Sequence, residues 1–126
     1  MRTRFHIPVF ALILLFGLGL LAQESTVKGN LGGTVFDSSG AVVSGAKLTL
    51  TGPLGKETVT SDAEGHFMFD LLTPAIYTVK AEMSGFKSVD VRAIEVFTGR
   101  TSNIRVELQP GGASETIEVT ASAVTV

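Results

Sequence analysis

Ala46-Lys47-Leu48-Thr49-Leu50-Thr51 alternates apolar and polar side chains with a period of two. In an extended chain successive side chains point to opposite faces, so Leu48 and Leu50 share one face and the threonines share the other. One buried face and one wet face mark a strand packed on a core from one side only. Ile104, Val106 and Leu108 repeat the pattern against Asn103, Arg105 and Glu107. Outward from these two stretches, similar alternation predicts strands at 31–37, 46–51, 57–61, 66–71, 76–82, 86–97 with a break near Arg92, 102–108 and 116–121. No amphipathic helix pattern occurs. Seven or so one-faced strands within about 90 residues predict an all-β, seven-stranded Greek-key β-sandwich, because every apolar face needs an opposing sheet.

The turns support this reading with a mechanism. Asp37-Ser38-Ser39-Gly40 and Asp62-Ala63-Glu64-Gly65 each offer a side-chain acceptor followed by a glycine free to take positive φ. Thr73-Pro74-Ala75 leads an extended chain into Ile76-Tyr77-Thr78-Val79, and Ser84-Gly85 breaks the pattern before Phe86. Tyr77 is the single tyrosine. Its ring is expected at an end of the core with the hydroxyl bonded to nearby backbone, since a buried phenol without a partner costs about 1–3 kcal/mol.

The first residues follow another logic. Met1 to His6 carry Arg2 and Arg4, residues 7–21 form an uncharged apolar run of 15, and Ala22-Gln23-Glu24-Ser25 provides a small-residue exit. That is the pattern of a cleavable secretory signal peptide over 1–22, followed by a linker at 23–28. The run is shorter than the roughly 20 residues that span a bilayer. The chain holds no cysteine, so an exported form has no disulfide and relies on its core. The 126 residues carry a net charge of −2, and removal of Arg2 and Arg4 leaves 8 Lys and Arg against 12 Asp and Glu, a net of −4. Nucleic acid is not an expected partner of such a surface, because phosphate backbones need clustered basic residues.

Five segments in order carry a resemblance to a known family. They are Gly33-Thr34-Val35-Phe36-Asp37, then Ser39-Gly40-Ala41-Val42-Val43-Ser44-Gly45-Ala46-Lys47-Leu48-Thr49-Leu50, then Thr60-Ser61-Asp62-Ala63-Glu64-Gly65-His66-Phe67-Met68-Phe69, Leu72-Thr73-Pro74-Ala75-Ile76-Tyr77 and Ser84-Gly85-Phe86. Over about residues 29–110 the chain resembles a carboxypeptidase regulatory-like domain. Ala75 departs from the glycine usual before the tyrosine-containing strand. The resemblance implies a prealbumin-like (transthyretin-like) sandwich, a non-catalytic module found beside secreted peptidases and at the N-terminus of TonB-dependent outer-membrane receptors.

Residues 111–126 read as a C-terminal linker with a strand in it. Glu115, Thr116, Ile117, Glu118, Val119, Thr120 and Ala121 follow the loop Gln109-Pro110-Gly111-Gly112-Ala113 and are similar to the TonB-box segment that precedes a receptor plug. Such a segment acts by strand addition, lending backbone N–H and C=O groups to a partner sheet. The implied partner is a TonB-type periplasmic protein or a receptor plug and barrel. The same residues also read as one more edge strand of the sandwich, or as a linker. No plug or barrel follows Val126, so the expectation is a stand-alone module or the N-terminal piece of a truncated receptor.

Catalysis is weighed by inventory. After the signal segment there is one histidine, His66, and no cysteine, which removes Cys–His pairs and zinc sites with several histidines. His66 is expected to flank a turn. Asp62, Glu64 and Asp70 fall short of a calcium loop's ligand set and more simply build a turn. Gly29, Gly32 and Gly33 precede no helix and make no dinucleotide fingerprint. Phe67, Phe69, Phe86 and Phe97 raise a glycan platform, but their placement favours the core. Lys80, Lys87, Arg92, Arg100 and Arg105 are spread among acids. The reading is an exported, non-enzymatic accessory module without cofactor, periplasmic or outer-membrane-associated, touching membrane only through its signal peptide or a receptor. The alternative is a free periplasmic or extracellular carbohydrate- or protein-binding module.

Overall fold

A computed structural model describes residues 27–121 and the backbone of 124–125. The expected signal peptide lies outside the described residues. The strands are β1 Gly29–Asp37, β2 Lys47–Gly52, β3 Gly55–Thr60, β4 His66–Leu72, β5 Ala75–Glu82, β6 Ser88–Val96, β7 Thr101–Leu108, β8 Thr116–Thr120 and β9 Val124–Thr125. They form two packed sheets, ordered β4-β1-β7-β9 and β3-β2-β5-β6-β8. Two neighbours are parallel, β1 with β7 and β6 with β8, and the remaining pairs are antiparallel. Seven strands lie in residues 29–108, but the sandwich counts nine among the described residues because the tail adds β8 and β9. No helix occurs among the described residues, and none is long and apolar enough to cross a membrane.

Period-two burial builds the core. Along β7, Ser102, Ile104, Val106 and Leu108 are buried while Asn103, Arg105 and Glu107 face out. Leu31, Val35, Leu48, Phe69, Val79 and Ile94 join them in the interior. Phe67 and Phe69 meet edge to face at 6.1 Å. Gly33 lets β1 approach closely, since a Cβ there would collide with the Ile104 carbonyl and the Phe67 ring. The Ser102 hydroxyl ties the two sheets by donating to the Glu95 carbonyl at 2.6 Å.

Two bulges keep apolar parity. Tyr77 pairs with Ile94 and Val79 with Val91, so Arg92 and Ala93 together oppose Thr78, and Val89, Val91, Ile94 and Val96 all point inward. The break expected near Arg92 is therefore a kink inside one strand. On β4, Leu71 fills the same role between the pairs Gly29 with Leu72 and Leu31 with Phe69. Both bulge residues are left-handed without being glycine, Leu71 at φ 54 and Ala93 at φ 57.

Turn chemistry follows the side chains expected. The Asp37 carboxylate accepts from the Ser39 and Ala41 amides and the Ser39 hydroxyl, with Gly40 at φ 86. Those hydrogen bonds, the Ser39 hydroxyl first, hold the Asp37 carboxyl below its ordinary value. The Asp62 carboxylate accepts from the Glu64 and His66 amides before Gly65 at φ 76. β3 begins at Gly55, two residues earlier than expected, because Gly52-Pro53-Leu54-Gly55 closes a two-residue hairpin. β6 begins at Ser88 and not at Phe86, since the Phe86 amide bonds back to the Met83 carbonyl at 3.1 Å. Tyr77 is buried and donates its hydroxyl to the Thr73 carbonyl at 2.6 Å, and burial pushes its phenol up from 10.0.

Candidate functional site

The tail strand and the side of the sandwich beneath it form the candidate site. The linker 109–113 is tied down before β8 begins. The Lys87 amide donates to the Gln109 carbonyl at 2.8 Å, the Gly111 amide to Gly85 at 3.1 Å, and the Ser88 hydroxyl to Ala113 at 3.1 Å. The Glu115 amide then closes a turn on the Gly112 carbonyl. β8 runs parallel to β6 from Ser88 opposite Thr116 to Arg92 opposite Thr120. The Ala121 amide donates to the Arg92 carbonyl at 2.8 Å, where the kink at Ala93 ends the ladder.

Seven residues were singled out in the sequence, and the structure places five of them in this strand. Thr116, Ile117, Glu118, Val119 and Thr120 are β8, with Glu115 in the turn before it and Ala121 directly after. They pair within the chain as the terminal strand of the five-stranded sheet, with one edge against β6. Glu115 meets Lys87 at 3.1 Å and Glu118 meets Arg92 at 2.5 Å, so two ion pairs join the tail to β6. The Arg92–Glu118 pair is exposed and Lys87 is half-buried against an exposed Glu115, so both pairs weaken with salt. Ile117 packs against the core, whereas Val119 is 42% exposed.

Sequence reasoning missed the groove under β8. It has a volume of about 350 Å³, with Val89, Val91, Ile104, Val106, Ile117 and Val119 on its apolar walls and Arg105 and Glu107 at its rim. Among the described residues, β8 extends the five-stranded sheet from β6, and β9 pairs with Ser102 and Asn103 of β7.

The other candidates do not assemble into a site. His66 is exposed at the start of β4, and Asp62 bonds its backbone amide. Among the described residues no group of three His, Asp or Glu gathers as a metal site. Phe67 and Phe69 are buried, Phe86 packs against the core, and Phe97 is partly exposed at the end of β6, so the four rings make no shared platform.

Two packed sheets with an apolar core between them, joined by tight turns, define a β-sandwich domain. Residues 30–109 match the family model of the carboxypeptidase regulatory-like domain, and the chain belongs to that family. A curated relative, the TonB-dependent transporter Oar of Myxococcus xanthus, is 34% identical over 121 residues, covering 94% of this chain. The chain spans 11% of that relative's length. Among solved structures, the TIE protein of Bacillus anthracis aligns with a TM-score of 0.58 and 23% identity over 67% of this chain and 17% of that one. A Bacteroides uniformis protein described as carbohydrate-binding aligns with a TM-score of 0.54 and 18% identity over 64% of this chain and 41% of that one. These two likenesses show the fold.

Proposed function

We propose that the chain is a non-catalytic accessory module of a TonB-dependent transport system, exported to the periplasm and associated with the outer membrane. In this reading residues 1–22 are a cleaved signal peptide, 23–28 a linker, 29–110 the sandwich, and 111–126 the tail toward a partner. The observation that carries it is the similarity to the Myxococcus xanthus transporter over 94% of the chain. That coverage extends past residues 30–109 on both sides, into the leader and the tail.

Geometry supports a role for the tail in strand pairing. β8 is the terminal strand of its sheet, so its second edge is the place where an extended partner strand adds. Glu115, Thr116, Ile117, Glu118, Val119, Thr120 and Ala121 supply a β-rich segment for a TonB-type periplasmic protein. The experiment is binding of the exported chain, with and without residues 115–126, to the periplasmic C-terminal domain of a TonB protein from the same source. Binding that depends on the tail supports the reading. Absence of binding by either form overturns the TonB pairing. A free-standing glycan-binding module is the second reading, which the likeness to the Bacteroides uniformis protein brings forward; a glycan array positive in the absence of any receptor partner would favour it.

A further inference from the structure

One end of the sandwich displays apolar side chains. The β2–β3 hairpin tip, the β4–β5 turn at Thr73-Pro74, the β6–β7 turn at 97–100 and the start of β1 come together there. Lys28 Nζ donates to the Thr73 hydroxyl at 3.0 Å across it. Of eight large apolar side chains exposed among the described residues, five stand at this end: Val27, Leu54, Leu71, Ile76 and Phe97. Leu54, 84% exposed, and Leu71, 77% exposed, flank one recess of about 160 Å³ that the buried Leu50, Leu72 and Tyr77 also line. The parity of β4 demands a left-handed residue at position 71, which glycine supplies without strain. Leucine there is strained and wet at once, a combination the fold itself does not require.

Charge is divided between the two ends. The turns of the apolar end and the residues next to them carry Lys28, Lys56 and Arg100, while Glu57, Asp70 and Glu95 stand on the strands behind. The turns of the opposite end carry Asp37, Asp62, Glu64 and Glu115 against Lys47 and Lys87. Protruding apolar side chains among cations fit a surface that is anionic on top and apolar beneath, which is a bilayer of anionic lipid. A second copy brought end to end would set these cations against one another. Chain position agrees with the bilayer. The apolar run 7–21 ends five residues before Val27, and residues 22–26 span at most about 18 Å. A leader lodged in the membrane therefore delivers this end of the sandwich to the membrane surface. β9 lies at the far edge of the four-stranded sheet from β4, so the paired tail residues are remote from Leu71.

We propose that the exported module docks this end on the surface of an anionic phospholipid bilayer. Leu54 and Leu71 enter the boundary between headgroups and acyl chains, and Lys28, Lys56 and Arg100 meet lipid phosphates. Apolar burial supplies the anchoring, and the cations supply the preference for anionic lipid. The proposal rests on export of the chain and not on TonB pairing, which uses β8 elsewhere on the sandwich. Vesicle binding is read on purified protein, so its outcome is distinguishable from failure of either export or TonB binding.

The test is co-sedimentation of the protein lacking residues 1–22 with phosphatidylcholine vesicles, pure or containing roughly one third phosphatidylglycerol. Both sheets are built from residues 29–125, so the fold does not need the leader. Only the polar Gln23-Glu24-Ser25-Thr26 then precedes Val27. The expected result is binding to the anionic vesicles that weakens at least about fivefold on pure phosphatidylcholine or in about 1 M salt. Leu54→Gln and Leu71→Gly are each expected to weaken it about tenfold. Met68→Gln, exposed in the middle of β4, is expected to leave it unchanged. Leu71→Gly relieves backbone strain, so its thermal midpoint should not fall and its weaker binding does not reflect unfolding. The chain has no tryptophan, so Leu54→Trp places a single reporter at the hairpin tip, and its emission should shift to the blue on anionic vesicles. No binding, undiminished binding by the leucine variants, or unshifted emission would overturn the proposal. A concentration-dependent dimer that Leu54→Gln abolishes would overturn it in favour of a second copy.

Discussion

The Arg92 guanidinium on β6 donates to the Glu118 carboxylate on β8 at 2.5 Å, across the parallel ladder that docks the tail. The two residues are 26 apart in sequence, and each side chain is more than half exposed. An exposed pair of this kind is worth about 0.2–1 kcal/mol and weakens with salt. Arg92→Ala should therefore leave the global unfolding midpoint nearly unchanged. Hydrogen exchange of the β8 amides should accelerate by up to about fivefold, while β1 and β7 stay protected. Raising ionic strength from about 0.1 M to about 1 M should reproduce the effect in the wild-type chain and add little in the variant.

Ser61 is buried, accepts from the Ala46 amide at 2.9 Å and donates to the Val43 carbonyl at 2.8 Å. Ser61→Ala strands a buried donor and a buried acceptor together. A loss of about 1–3 kcal/mol is expected in denaturant unfolding. The exposed Ser38→Ala serves as control and should change stability by less than about 0.5 kcal/mol.

Ala93 and Leu71 hold left-handed backbone that glycine takes without strain. Ala93→Gly and Leu71→Gly should each raise stability by up to about 1 kcal/mol, the relief of strain exceeding glycine's entropic cost. Leu71 is 77% exposed, so the lost side chain subtracts little. Thermal melts of the single variants and the double variant check this. A lowered midpoint for Ala93→Gly would show that the bulge is not strained.

Asp37 supplies the acid-sensitive turn. Its carboxyl lies below the ordinary 3.8 in the folded chain, chiefly through the Ser39 hydroxyl, so its contribution is complete above the unfolded-state value and disappears as pH falls through the lower folded value. Asp37→Asn keeps an acceptor and removes the charge. Urea midpoints of wild type and variant should differ at pH about 6 and draw together as pH falls below 3.8. A constant difference across that range would refute the turn's role.

Tyr77 acts at the opposite end of the pH scale. Its folded phenol is raised above 10.0 by burial, so the stability it contributes is whole below the unfolded value and is lost as pH rises through the folded one. Tyr77→Phe should cost about 0.5–1.5 kcal/mol near neutrality through the lost bond to Thr73 and should be less sensitive to alkali than wild type. Alkaline melts of both proteins measure this.

Much of this architecture was legible before any coordinate. Leu48 and Leu50, or Ile104, Val106 and Leu108, announce their buried face because one-sided burial imposes a period of two on side-chain chemistry. Asp37, Asp62 and the glycines after them announce turns because only such residues meet the local geometry cheaply. Tyr77 could be given a backbone partner because a buried hydroxyl needs one. Nothing local marks Ala93 or Leu71 as left-handed: each is there because the strand must drop one residue to keep Ile94 and Leu72 facing inward.

The candidate site divides along the same line. Residues 115–121 were recognisable as a strand from their own β-branched alternation. Their parallel pairing with β6, and the pairing of residues 124–125 with β7 in the other sheet, were settled by tertiary structure alone. A strand's edge is made of backbone N–H and C=O groups that nearly every residue carries alike. Sequence therefore determines which segments extend and which faces are buried, while the folded arrangement of neighbours decides which edges meet and which stay open.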